Sequence, residues 1–128
     1  MVNVIIGICS LQYGIMYNID PSLIKAIAKV ESNNKPYAIS KDGMDIGLMQ
    51  VRHIYVKESK TQLLDTCKSI EVGARILNYN KKNCKHKKDS TFVICYNMGV
   101  KGGGKIRYPK KHIYYKKVMD QIRKKDTL

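Results

Sequence analysis

Residues 18–32 read Asn18-Ile19-Asp20-Pro21-Ser22-Leu23-Ile24-Lys25-Ala26-Ile27-Ala28-Lys29-Val30-Glu31-Ser32. Asp20 is a good N-cap, because its short carboxylate can accept a free N–H of the first turn, and Pro21 suits the first helical position. Leu23, Ile24, Ile27, Ala28 and Val30 follow at helical spacing, which predicts a helix burying one face. Asn33-Asn34-Lys35-Pro36 ends it.

Outward from this helix the chain reads as mainly α. Residues 1–19 carry no charged side chain, yet a signal peptide wants an early basic region and the first Lys is Lys25. Asn3, Ser10, Gln12, Tyr13 and Asn18 also interrupt the run a spanning helix would need. The expectation is therefore a buried amphipathic helix, with no membrane span. Any targeting signal of an exported protein would be absent from this chain. Residues 36–62 mix turn formers with short apolar runs and predict loops with at most short strands. A helix is expected over about 68–80, with Ile70, Ala74 and Leu77 on one stripe. Another should start near Asp89 or Ser90 and run through Phe92, Val93, Ile94 and Tyr96, with Gly102-Gly103-Gly104 breaking the chain. A last helix from near Pro109 should carry Tyr115, Val118, Met119 and Ile122 on one side. At 128 residues, one compact helical domain over 1–128 is expected, with at most a short β element.

Lys and Arg number 24 against 10 Asp and Glu, a formal net charge of +14, while hydrophobic residues make up 44%. That hydrophobic share is too high for a disordered basic tail, so the charge belongs to a folded body and points to a polyanionic partner. The basic residues concentrate in Lys81–Lys88 and in 101–125. No helix-turn-helix signature, zinc module or aromatic RNA-binding motif supports nucleic acid as that partner. Cys9, Cys67, Cys84 and Cys95 form no C-x-x-C pair and have no His at zinc-finger spacing, so no metal or other cofactor is expected. Four Cys allow three disulfide pairings, or four reduced thiols.

Glu31 is the residue most suited to chemistry. It lies on the apolar face of its helix, near the C-terminal end. Partial desolvation and the negative end of the helix dipole both favour the neutral acid there. A carboxylic acid still protonated near neutral pH is what protonation of a glycosidic oxygen requires.

Glu31-Ser32 is followed by Ala38-Ile39-Ser40, then Gly47-Leu48-Met49-Gln50, then Cys95-Tyr96-Asn97-Met98-Gly99. This ordered set resembles the lytic transglycosylases with a goose-type-lysozyme-like catalytic domain, over residues 9 to 122. A narrower set, Ala26–Ser32, Asp45–Gln50 and Leu63-Leu64-Asp65-Thr66-Cys67, resembles the small enzymes that accompany type III and type IV secretion systems and pili.

The resemblance implies a lysozyme-like fold, and as substrate the glycan strands of peptidoglycan. The bond cleaved would be the β-1,4 link from N-acetylmuramic acid to N-acetylglucosamine, with a 1,6-anhydro product. Glu31 would be the general acid and base. Ser40 would hydrogen-bond its carboxyl, Met49 and Gln50 would line the cleft, and Tyr96 and Asn97 would face the sugar. Tyr115 would be a cleft tyrosine, although Tyr114 stands beside it. Asp45 would either assist catalysis or be a turn residue bonding its own backbone. A lysozyme-type hydrolase using Glu31 and Asp45 is the alternative. The resemblance also implies Cys9–Cys67 and Cys84–Cys95 disulfides, hence a periplasmic enzyme recruited by a secretion system or pilus.

Overall fold

A computed structural model of the protein describes residues 1–126. The last two residues of the expected 1–128 domain, and the side chains of Lys125 and Asp126, lie outside the described residues. The chain divides into two compact units, Met1–Ala74 and Arg75–Leu128.

The first unit opens with helices α1 (Val2–Tyr17) and α2 (Pro21–Ser32), which pack on each other. The ends of α2 follow from its sequence. Asp20 Oδ1 accepts the Ser22 N–H at 2.9 Å, a cap worth about 1 kcal/mol. Asn33 takes a left-handed φ of 54°, and its N–H reaches the carbonyls of Ala28 and Lys29. Leu23, Ile24, Ile27 and Ala28 are buried, which is the apolar stripe of the sequence.

Helix α1 corrects an expectation. It is a helix, but only Ile6, Cys9, Ser10 and Gly14 are buried, while Val4, Ile8, Leu11, Ile15 and Met16 are exposed. Apolar residues surround the whole helix, so periodicity alone could not say which side meets the core. A disulfide from Cys9 to Cys67, with Cα atoms 5.5 Å apart, fastens α1 to the start of α4 (Thr66–Asn83).

Between α2 and α4 lie strands β1 (Asp45–Ile46) and β2 (Val51–Arg52), a 3-10 turn at His53–Tyr55 and the short helix α3 (Lys60–Leu63). The strands are antiparallel, with Asp45 opposite Arg52 and Ile46 opposite Val51. Ile39 adds a single antiparallel bridge to Ile46. Ile46, Leu48, Met49 and Val51 send their side chains into the core.

The second unit contains the rest of α4, a 3-10 turn at Lys88–Ser90, α5 (Val93–Gly104), a 3-10 turn at Pro109–Lys111 and α6 (Ile113–Asp126). Helices α5 and α6 pack together. The Cys84–Cys95 disulfide, with Cα atoms 6.1 Å apart, pins the start of the loop after α4 to α5. Gly102-Gly103-Gly104 does not break the chain as expected. The break falls at Gly99 (φ 78°, ψ 162°), and the three glycines continue the helix. Gly103 is a packing glycine: a Cβ there would lie 2.6 Å from Cys95 Sγ. Among the described residues, no helix is long and apolar enough to cross a membrane.

Candidate active site

Glu31 is the penultimate residue of α2 and is half-buried. The helix stops one residue later for local reasons. Ser32 Oγ donates to the Ala28 carbonyl at 3.0 Å, which diverts a hydroxyl onto the backbone. Asn33 and Asn34 are then both left-handed, at φ 54° and 63°. Asn tolerates that conformation better than most residues with a Cβ. The glutamate therefore stands on the last helical turn, where the outgoing chain turns sharply away.

That chain forms the β1–β2 hairpin, which carries four of the expected site residues. Ser40 and Asp45 meet directly: Ser40 N–H donates to the Asp45 carbonyl and Asp45 N–H donates to Ser40 Oγ, both at 3.0 Å. The Ser40 hydroxyl proton goes to Asp42 Oδ1 at 2.7 Å. Asp42 also accepts the Met44 N–H at 3.0 Å and Arg52 Nη2 at 3.1 Å. The Ser40 hydroxyl and the Met44 N–H, with Arg52 beyond them, hold the Asp42 carboxyl below its usual range. Asp42, not Asp45, is thus the turn residue that bonds local backbone. Asp45 lies on the strand, and its Oδ1 accepts Arg52 Nη1 at 3.2 Å.

The Gly47–Gln50 turn is braced from three sides. Gly47 has a φ of 82°, and its N–H donates to the Ala38 carbonyl at 2.7 Å. A Cβ on it would fall on the Leu63 carbonyl oxygen. Gln50 is also left-handed, at φ 50°. Its Nε2 donates to the Ala38 carbonyl at 3.1 Å and the Gly47 carbonyl at 3.0 Å. The Gln50 amide therefore holds its own loop closed. Met49, expected to line the cleft, packs beneath the turn. It is completely buried, its N–H donates to Ser69 Oγ at 3.0 Å, and its side chain rests on Gly73. An unbranched apolar side chain beneath a tight turn fills the core.

In the second unit, Tyr96 is half-buried and Asn97 exposed, on the turn of α5 between the Cys95 disulfide and the Gly99 kink. Tyr115, expected as a cleft tyrosine, lies on α6. It is buried, and its hydroxyl donates to the Asp89 carbonyl at 2.9 Å, tying α6 to the 3-10 turn. Sequence reasoning missed Asp42 and Arg52 as partners of the hairpin. The available signal was two acids and an Arg within eleven residues of a turn-rich segment. Among the described residues, no three His, Cys, Asp or Glu side chains converge to hold a metal ion.

The chain is mainly α, with Glu31 on the last turn of its second helix and a braced Gly-Leu-Met-Gln turn after it. The family model described as transglycosylase SLT domain matches residues 8–117, and the chain belongs to that family. It is also similar to the invasion protein IagB of Salmonella typhimurium, 45% identical over 80 residues, covering 55% of this chain and 50% of that protein. A peptidoglycan-binding-like protein of Escherichia coli O157:H7 is 33% identical over 93 residues, covering 59% of this chain and 56% of that protein. The chain thus spans about half the length of these relatives.

Proposed function

We propose that the chain cleaves the β-1,4 bond between N-acetylmuramic acid and N-acetylglucosamine in peptidoglycan, with Glu31 as acid and then base. The observation that carries this reading is the half-buried Glu31 on the last turn of α2, in a chain of the transglycosylase SLT family. Protonated Glu31 gives its proton to the glycosidic oxygen as the C1–O4 bond breaks. The resulting carboxylate takes the proton of the muramyl C6 hydroxyl while O6 bonds to C1. The 1,6-anhydro ring closes, Glu31 regains its proton, and no water is consumed. The attacking hydroxyl is tethered to the reacting sugar, so its effective concentration is high and no carboxylate nucleophile is needed.

Asp45 serves in this reading as a positioning residue that fixes the hairpin through Arg52. Its pairing with Arg52 supports that role over activation of a water, so the hydrolytic alternative has less support. Tyr96 and Asn97, exposed to different degrees on α5, remain the sugar-facing pair of the proposal, and Ser40 and Gln50 shape the hairpin. The two disulfides favour an oxidising compartment, hence the periplasm. The resemblance of Ala26–Ser32 and Asp45–Gln50 to secretion-associated enzymes supports local wall opening for a secretion apparatus, and the chain is similar to a protein named for invasion. The +14 charge supports retention on a wall that carries many carboxylates.

Clearing of a purified sacculus suspension tests the reading. Glu31→Gln should lower the rate at least about a hundredfold, the usual scale of a lost general acid, while sacculus binding persists. Undiminished clearing would end it.

A further inference from the structure

The second unit holds an open cavity of about 620 Å³ that the proposed reaction does not use. Lys85, Lys87, Lys88, Arg107, Lys110 and Lys111 line it, and no acidic side chain does. A cavity of that volume is roughly 10 Å across, close to the Debye length at physiological salt, so these charges repel one another with incomplete screening. A folded chain that keeps six cations around one cavity has a strong electrostatic reason to accept an anion there.

The lining cations are exposed, but the two loops that carry them are held in place. The Cys84–Cys95 disulfide fixes the start of its first loop. His86 Nε2 meets the Ile106 carbonyl at 2.7 Å, so that nitrogen carries its proton and joins the first loop to the second. Lys87 Nζ donates to the Lys81 and Lys82 carbonyls at 2.9 and 2.8 Å, which holds its charge at the end of α4. Arg107 and Lys111 both sit against the Tyr108 ring, 5.4 and 5.2 Å from its centroid. Between Lys85 and Lys111 the chain has one acid, Asp89, and it is bonded to Lys110. The rim has thus already recruited the one internal anion within reach.

We infer that this cavity binds a compact anion carrying two or more adjacent phosphoryl groups, a function beyond the proposed wall cleavage. Charge density decides the chemical class. A carboxylate brings one charge and two oxygens, and the carboxylates of wall peptides are borne on separate residues. A terminal phosphoryl group brings about −1.5 to −2 charges and three strong acceptor oxygens. With Lys110 paired to Asp89, two or three adjacent phosphoryl groups match the five remaining cations of the cavity, and lysine ammonium groups serve as point-charge partners for them. Such a group could arrive on a soluble oligophosphate or as the headgroup of a pyrophosphate-bearing lipid.

The test is calorimetric titration of the full chain with inorganic tripolyphosphate, against citrate as a tricarboxylate control, at matched ionic strength. Tripolyphosphate should bind with one-to-one stoichiometry and at least about tenfold more tightly than citrate, the scale of one added charge-assisted contact. Lys88→Gln with Arg107→Gln should weaken it at least about tenfold, while Lys116→Gln with Lys117→Gln, an equal charge loss on exposed α6 positions, should change it less than about twofold. Glu31→Gln should bind tripolyphosphate as the wild type does, which separates this site from the catalytic reading. Vesicles with a pyrophosphate-headed lipid in a zwitterionic background distinguish the sources. Co-sedimentation that tripolyphosphate reverses assigns the lipid, and tripolyphosphate binding without co-sedimentation assigns the soluble ligand. Citrate binding as tightly as tripolyphosphate, or equal losses in the two double variants, would overturn the site and leave only diffuse surface charge.

Discussion

Arg52 stands opposite Asp45 in the β1–β2 ladder, and its guanidinium joins that carboxylate to Asp42, at 3.2 and 3.1 Å. One side chain therefore connects the strand to the turn that precedes it. The Arg52 and Asp45 side chains are 40% and 31% exposed, so solvent screens the pair. A double-mutant cycle of Asp45→Asn and Arg52→Ala should give a small favourable coupling in folding stability that shrinks as salt is added. Asp45→Asn alone should retain at least about a tenth of the clearing activity, because the residue positions the hairpin and takes no proton. A loss as large as that of Glu31→Gln would make Asp45 a catalytic group.

Asp42 gives a pH prediction with a definite sign. Its carboxyl is held below the usual value of 3.8, first by the Ser40 hydroxyl. A depressed carboxyl stabilises the folded state above the unfolded-chain value and loses that contribution as pH falls through the folded value. The hairpin should therefore be indifferent to pH from neutrality down to about pH 4 and loosen only below it. Amide shifts of Met44 and Asp45 in an NMR titration report this, and Asp42→Asn should abolish the acid limb.

Gly47 and Gly43 separate two effects of an added methyl group. Both have positive φ, 82° and 74°, but only at Gly47 would the Cβ strike backbone, at Leu63. Gly43→Ala should cost about 1–2 kcal/mol for the left-handed conformation. Gly47→Ala should cost at least about 2 kcal/mol more, or prevent folding, because a rigid backbone must shift. Urea denaturation of the two variants reads the difference.

The disulfides should rank by the span they close. Cys9 and Cys67 are 58 residues apart and Cys84 and Cys95 are 11 apart. Loop entropy gives about 4 kcal/mol for the first and about 3 kcal/mol for the second. Paired Cys→Ser variants should show that order in denaturation midpoints. Free thiols found in the oxidised, denatured wild type would contradict both bridges.

The sequence made α2 legible because every signal agreed. Asp20, Pro21, the Ile24–Ile27–Ala28 stripe and Asn33 each act within a turn of the helix. The pairs Cys9–Cys67 and Cys84–Cys95 came from resemblance, since four cysteines alone leave the pairing open. What the sequence does not show depends on contacts distant in the chain. The packing of Met49 on Gly73 and Ser69 is one such contact, and the Tyr115 hydroxyl on the Asp89 carbonyl is another. Gly102-Gly103-Gly104 reads as a break because glycine disfavours helices, yet Cys95 leaves no room for a Cβ at Gly103. Helix α1 is apolar all round, so no local signal could divide its buried side from its exposed one.

Glu31 is proposed to drive an intramolecular ring closure rather than hydrolysis. Mass spectrometry of muropeptides released from purified sacculi tests it most directly. The wild type should release chains ending in 1,6-anhydro-N-acetylmuramic acid, lighter by one water than hydrolysed ends, and Glu31→Gln should release almost none. Hydrolysed reducing ends from the wild type, or anhydro ends undiminished in Glu31→Gln, would contradict the account.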